Sequence, residues 1–365
     1  MTTHFHEIAL TKLPGVGAQK AKLLLSYCGS AEAVFQERKK ALLKIPQIGE
    51  AVASAVVDHD VFGAVEAELE FIQRYGVRVL YFTEPDYPQR LRHFDDSPIL
   101  LYYKGTADLN APRTVGIVGT RNATEQGRAF CEQLVEELVP YQPLVVSGLA
   151  YGIDVTAHRQ SLQSGLPTVG VVANGLDRVY PAAHRKTAQK MTEQGGLLTE
   201  YGKGTQPDRD RFPARNRIVA MLSDALVVVE SAIRGGSMIT ANLAADYNKD
   251  VFAVPGRPKD TYSAGCNHLI KAHRASLIDS AADLAYVLRW QEQDKGTAPV
   301  QRQLFVDLDE QERTFVAHLS HDEPVTADVL CYKAGITPST LATLALQLEF
   351  KGVVKSLPGQ RYLLV

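Results

Sequence analysis

No Cys-x-x-Cys pair occurs among the four cysteines, Cys28, Cys131, Cys266 and Cys331. Thiols so scattered argue against a zinc site and against a disulfide framework. They read instead as buried or idle groups in a reducing compartment. No apolar run is long enough to span a bilayer. The N-terminal stretch MTTHFHEIALTKLPG lacks the apolar core of a signal peptide. The expectation is a cytoplasmic protein with no membrane partner. An excess of charge is missing too. Lysine and arginine total 39 against 41 acidic residues, a formal net charge of −2. Any nucleic-acid site must therefore be a local concentration of basic residues, because the whole chain has no net attraction for phosphate.

Two nucleotide signatures are also missing. A dinucleotide-binding unit needs GxGxxG at its first strand-to-helix turn and a carboxylate after its second strand. Here the first turn reads Gly116-Ile-Val-Gly119-Thr120-Arg121, and the second strand ends in Ser147-Gly148. No GxxxxGK[ST] motif occurs. These gaps argue against NAD and against a P-loop ATPase, and no cofactor or metal is expected.

What remains is an ordinary globular composition, 45% hydrophobic and 22% charged, over 365 residues. That length accommodates two or three domains. Residues 1–70 read as short helices. Two segments there resemble each other, LPGVGAQKAKLLL at 13–25 and IPQIGEAVASAV at 45–56. Each has an apolar-Pro-x-x-Gly turn before an apolar-periodic helix, the sequence form of a helix-hairpin-helix. The first copy keeps Gly15 and Gly17, and the second has Gln47 at the first glycine position. Turn amides of this kind can face a DNA phosphate, or the glycines can simply make turns.

Residues 71–290 alternate apolar runs with helical patterns. The runs are VRVLYF (77–82), TVGIVG (114–119), LVVSG (144–148), TVGVVA (168–173), LLTE (197–200), ALVVVE (225–230) and DVFAVPG (250–256). Continuous apolar runs indicate strands buried on both faces. The alternation indicates an α/β fold with a doubly wound parallel sheet. The stretch 81–105 reads as a Pro- and aromatic-rich extension ahead of that sheet. Residues 291–303 are polar and read as a linker. Residues 304–365 read as three helices and a two-stranded hairpin, the order of a winged helix. Thr337 is placed to cap the third helix before Pro338. The polar side of that helix carries Ser339, Thr340, Thr343 and Gln347 and almost no positive charge. Phosphate neutralisation dominates DNA affinity, so a protein-contact or structural role suits it better.

In an open parallel sheet the ligand lies beyond the carboxyl ends of the strands. Four segments should therefore meet in one pocket. Gly119-Thr120-Arg121 offers a permissive turn, a hydroxyl and a guanidinium, a set suited to phosphate. Ser147-Gly148 forms a second tight turn into a helix. Asp154 beyond it reads as structural, since a carboxylate beside phosphates would repel them. His158 on the same helix reads as a packed or solvated histidine. The third segment is a basic loop, Arg209, Arg211, Phe212, Pro213, Arg215, Asn216 and Arg217. Arginines around an aromatic suit a single strand: they track its backbone while Phe212 offers a stacking face, although Phe212 could also be core. The fourth, Gly235-Gly236-Ser237, opens a helix, and helix N-termini attract anions. The loops at 180–185 and 255–258 are expected to rim the pocket.

Taken together, GTR, SGLAYGID, FPARNRI, GGSMITA and VFAVPG resemble the DNA-processing protein A family, also called DprA or Smf. The resemblance is strong over roughly 110–290 and weaker at both ends. It implies a SAM-like helical domain, an extended Rossmann core and a winged-helix-like domain. It implies that the protein binds single-stranded DNA in natural transformation, protects it and helps load a RecA-type recombinase. It also implies a homodimer formed through the core domain, with no catalytic residues. Arg121 is then the backbone contact and Phe212 the stacking side chain. The family pattern begins Lys-x-x-Phe-Pro, and Arg209 takes the lysine position, which keeps the charge and changes its geometry. The rival expectation is a nucleotide-binding enzyme of the lysine-decarboxylase-like, nucleoside monophosphate N-glycosidase type. Glycoside cleavage needs a positioned carboxylate, and after Gly235-Gly236 none occurs before Asp246. A third alternative, a duplex-binding regulator working through the winged helix, has too little positive charge.

Overall fold

The computed structural model describes residues 4–291, 309–320, 324–351, 353–357 and 361–364. They form two compact units, Met1–Gln293 and Asp294–Val365. Apart from Gln291, the expected linker at 291–303 lies outside the described residues.

The larger unit begins with six helices: α1 (Phe5–Lys12), α2 (Ala18–Cys28), α3 (Ala31–Gln36), α4 (Lys39–Leu42), α5 (Glu50–Val57) and α6 (Phe62–Tyr75). The two expected hairpins are the α1–α2 and α4–α5 turns. Gly15 sits at φ +75°, and Gln47, at the matching position, sits at φ +64°. The second turn thus keeps the left-handed backbone after losing the glycine that makes it easy. Ile8, Leu24, Val34, Val52 and Val65 pack into one core with Ile99, Leu100 and Tyr102. Leu100 and Tyr102 belong to the sheet and Ile99 immediately precedes it, so the helices share a core with it. The expected boundary between 70 and 71 falls within α6.

Nine strands make one sheet: β1 (Arg78–Tyr81), β2 (Leu100–Gly105), β3 (Thr114–Val118), β4 (Leu144–Ser147), β5 (Thr168–Val171), β6 (Gly196–Thr199), β7 (Ala225–Val228), β8 (Asp250–Ala253) and β9 (Ser276–Leu277). Their order is β1-β2-β6-β5-β4-β3-β7-β8-β9. From β6 to β9 all neighbours are parallel. Every residue of β3 through β7 is buried, which explains their uninterrupted Val, Ile and Leu. Two features differ from the sequence expectation. The stretch read as an extension contains β2, and β1 and β2 run antiparallel at one edge. The parallel core is therefore lengthened by an antiparallel pair, as mixed sheets often are.

Seven helices accompany the sheet: α7 (Glu125–Glu137), α8 (Ile153–Gln163), α9 (Arg185–Gln194), α10 (Arg211–Leu222), α11 (Gly236–Asp246), α12 (Ala264–Lys271) and α13 (Ala281–Leu288). Separate clusters of buried residues lie on the two faces. Val146, Val169, Val219, Leu226 and Met238 belong to one, and Ile117, Leu134, Val145, Ala157 and Val227 to the other. This is the doubly wound arrangement.

The smaller unit contains α14 (Glu310–Val316), β10 (Val325–Thr326), α15 (Ala327–Ala334), α16 (Pro338–Phe350), β11 (Val354–Leu357) and β12 (Arg361–Leu364). Thr337 Oγ1 accepts from the Thr340 amide at 3.2 Å, with Pro338 in the first turn of α16. β12 pairs with both β11 and β10, completing a winged helix around Phe315, Leu330, Leu341, Leu344 and Leu348.

Candidate nucleic-acid interface

The chain runs from β3 through β4, β5 and β6 on one side, then returns to place β7 on the other side of β3. At such a reversal the loops diverge and leave a crevice beyond the strand ends. A cleft of about 760 Å³ lies there, walled by the turns after β3 and β4 and by the first turns of α10 and α11.

The β3 turn is held from behind. A Cβ on Gly119 would lie 2.4 Å from Ile153 Cγ1 of α8, so the turn rests directly on that helix. The Thr120 amide donates to the Glu230 carbonyl at 2.7 Å, and Thr120 Oγ1 accepts from the Asn122 amide at 3.2 Å. Gly152 has φ +77°, and a Cβ there would meet the Thr120 carbonyl at 2.2 Å. Arg121 leaves this fixed turn exposed. Its guanidinium carbon stands 5.3 Å from the centroid of the Phe212 ring, within cation–π range. Tyr180 approaches the same ring at 5.9 Å.

Phe212 was expected on a loop. Instead, residues 211–222 form α10. Pro213 fits because a first-turn residue has no helical acceptor for its N–H. Helical phase then sorts the basic cluster. Phe212, Arg215, Asn216 and Val219 share the i, i+3, i+4, i+7 face and line the cleft. Arg217 is two residues past Arg215, about 200° round the helix. It does not line the cleft, and its guanidinium donates to the Glu200 carboxylate. Its assignment as a nucleic-acid contact is corrected: Arg217 braces the wall. Burial pushes the Glu200 carboxyl up while Arg217 pulls it down, and the balance is above the usual carboxylate range.

Arg215 is in the cleft floor, buried. Nη1 donates to the Gly148 carbonyl at 2.6 Å and to the Val171 carbonyl, tying the ends of β4 and β5 together. Burial lowers its pKa to about 10, against the pull of Asp154. Asp154 accepts from the Ala150 amide at 3.4 Å, and burial raises its pKa against the pull of Arg215. This pair organises the β4 turn, as expected for Asp154. Ser147 does not reach the cleft. Its hydroxyl donates to the Ile117 carbonyl at 2.5 Å inside the sheet, so its placement in the site is also corrected. His158 is packed, with Nδ1 2.7 Å from Thr168 Oγ1.

Gly235 is the N-cap of α11, and Gly236 opens its first turn. Both line the cleft with Ser237, whose hydroxyl donates to Ser231 Oγ at 2.8 Å. Arg209 lines it too and is exposed. Among the described residues, neither Arg121 nor Arg209 is in an ion pair. Asp154 is the one lining carboxylate. The mouth is thus positive although the chain is not. Tyr180 rims the cleft as expected, whereas Gly256 and Arg257 line a neighbouring hollow. Tyr262 was not anticipated. It lines the cleft and accepts from Asn122 Nδ2 at 3.1 Å. Its loop follows β8, and no local pattern links it to the β3 turn.

Comparison with known proteins agrees with this geometry. A family model described as DNA recombination-mediator protein A matches residues 78–289, and one described as the DprA winged helix domain matches 300–360. The Smf protein of Synechocystis is 30% identical over 97% of this chain and 97% of its own length. The DNA processing protein DprA of Streptococcus pneumoniae is 41% identical over 54% of this chain and 70% of its own. The X-ray structure of DNA processing protein A from that species aligns with a TM-score of 0.68 at 33% identity, covering 80% of this chain and 100% of the other. The Helicobacter pylori protein, solved for its single-stranded DNA binding mode, aligns at 0.54 and 30% identity over 60% of this chain and 98% of the other. With a nine-stranded core, a winged helix and a strand-reversal cleft of this make, the chain belongs to the DNA-processing protein A (DprA/Smf) family.

Proposed function

We propose that this protein binds single-stranded DNA in the cleft, without chemistry on it. The observation that carries this reading is the pairing of Arg121 with Phe212 across the cleft mouth. A guanidinium free of carboxylates meets a phosphate, and the aromatic face beside it accepts a base of any sequence. The N-terminal turn of α11, which begins at Gly236, adds a second anion-binding edge. A duplex keeps its bases stacked inward, so a stacking wall favours single strands.

In this reading the protein serves natural transformation in the cytoplasm. It shields incoming single strands and passes them to a RecA-type recombinase. A homodimer joined through the core presents two clefts and gains affinity by avidity. The N-glycosidase alternative has little to work with. Asp154 is occupied by the β4 turn, and Asp246, at the far end of α11, pairs with Arg274 at 3.0 Å. The test is fluorescence anisotropy of a labelled oligonucleotide, single-stranded against duplex, for wild type and Arg121→Ala. The expected result is a single-strand preference that Arg121→Ala abolishes. Equal affinity for both forms, or an unaffected variant, overturns the reading.

A further inference from the structure

A second, smaller hollow of about 280 Å³ lies against the end of α6. It resembles the central cleft in chemistry, with cations grouped around aromatic rings. Tyr75 is half exposed and lies on Phe71, ring centroids 4.9 Å apart. Arg74 stands 5.6 Å and Lys104 5.8 Å from the Tyr75 centroid, and Lys203 stands 6.0 Å from that of Phe71. Among the described residues none of these three cations is in an ion pair. Of the lining carboxylates, Asp177 is occupied by Arg178 at 3.1 Å and by the Gly204 amide at 3.0 Å. Glu70 remains on the rim. The balance favours an anion.

Two loops join this hollow to the cleft. Asp177 lines one and Tyr180 the other, three residues apart. Lys203 and Pro207 stand in the same relation, four residues apart. Extended chain covers at most ~3.6 Å per residue, so the steps are at most about 11 and 14 Å. On the ridge between, Arg178 donates to Gln206 Oε1, binding the two loops together, and Arg211 donates to the Gln206 carbonyl. A ridge held by Arg178 and Arg211 thus runs from one aromatic platform to the other.

We infer that a single strand leaving the central cleft continues over this ridge onto Tyr75, with Arg74, Lys104 and Lys203 on its phosphates. The inference rests on the proposed function and extends its footprint. A lone cationic patch binds any polyanion, but an exposed ring beside cations and in line with a first such site suits unpaired bases.

The experiment compares a short oligonucleotide of about 6 nucleotides, enough to fill one site, with one of about 20. Both are measured by anisotropy against wild type, Arg121→Ala, the exposed pair Arg74→Gln with Lys203→Gln, and Tyr75→Ala. The double variant should weaken the long oligonucleotide about fivefold and flatten its salt slope by about 1.4, two contacts at roughly 0.7 each. Tyr75→Ala should weaken it with the slope unchanged, an effect that lost charge cannot mimic. Neither should change the short oligonucleotide, which Arg121→Ala releases. If the long oligonucleotide is indifferent to both changes while Arg121→Ala still releases it, the path is wrong and the cleft stands. Equal losses on duplex of the same length assign the patch to general phosphate attraction and overturn the path. If wild type binds neither oligonucleotide, the cleft and the path fall together.

Discussion

Arg121 and Phe212 are expected to fail in different ways when removed. Arg121→Ala deletes one phosphate contact, so the log–log salt slope of single-strand binding should flatten by about 0.7. Phe212→Ala should cost about 1–3 kcal/mol for the base it stacks and leave the slope unchanged. Titrations at several salt concentrations separate the two. Arg217 gives the opposite prediction. From sequence it was another phosphate contact; in the structure it is the partner of Glu200. Arg217→Ala should leave the salt slope unchanged and lower stability by about 3 kcal/mol, because a buried carboxylate loses its counter-charge. The deficit should shrink as pH falls, since Glu200, already raised by burial, can then take a proton. Urea denaturation at two pH values measures both effects. Residue type was legible in the chain at 209–217, but the direction each side chain takes was not. Once α10 forms, the step from Arg215 to Arg217 crosses to the other side of the helix.

At the scale of elements, α8 carries a buried titratable group. His158 is fully buried, which lowers its pKa to about 3, with His184 and Arg215 adding to the effect. A neutral buried histidine stabilises the fold above the unfolded value near 6.5. The unfolded chain binds the extra proton as pH falls, so this stability is lost progressively between about 6.5 and about 3. Between pH 7 and 5 the loss should be about 2 kcal/mol. Denaturation midpoints for wild type and His158→Gln should converge as pH falls through this range; parallel curves would count against the assignment. The strands from β3 to β8 were visible as continuous apolar runs because both of their faces are covered. β2 was not, since its Leu-Leu-Tyr-Tyr run sits in a stretch rich in proline and aromatics that carries only a 3-10 turn, Gln89–Leu91, and no α-helix to mark a βαβ unit. Its pairing with β1 and β6 depends on residues far away in sequence.

For the whole molecule, the winged helix forms a compact unit of its own, and its third helix shows little positive charge. A chain ending at Gln293 should keep the single-strand affinity of the full chain within about twofold, if phosphate contacts reside in the larger unit. A loss of tenfold or more in anisotropy titrations would assign DNA contacts to the wing. By itself the sequence determined the α/β class, the alternation that winds the sheet, the winged-helix order and the glycine-rich turns. Each of these is written in short-range periodicity or in one residue's backbone freedom. The tertiary structure alone decided which arginines face the cleft, that Ser147 is spent inside the sheet, and that Tyr262 meets the β3 turn. It also brought Tyr75, Lys104 and Lys203 to one place. Those arrangements follow from helix phase and strand order, which join residues a hundred positions apart and leave no local trace.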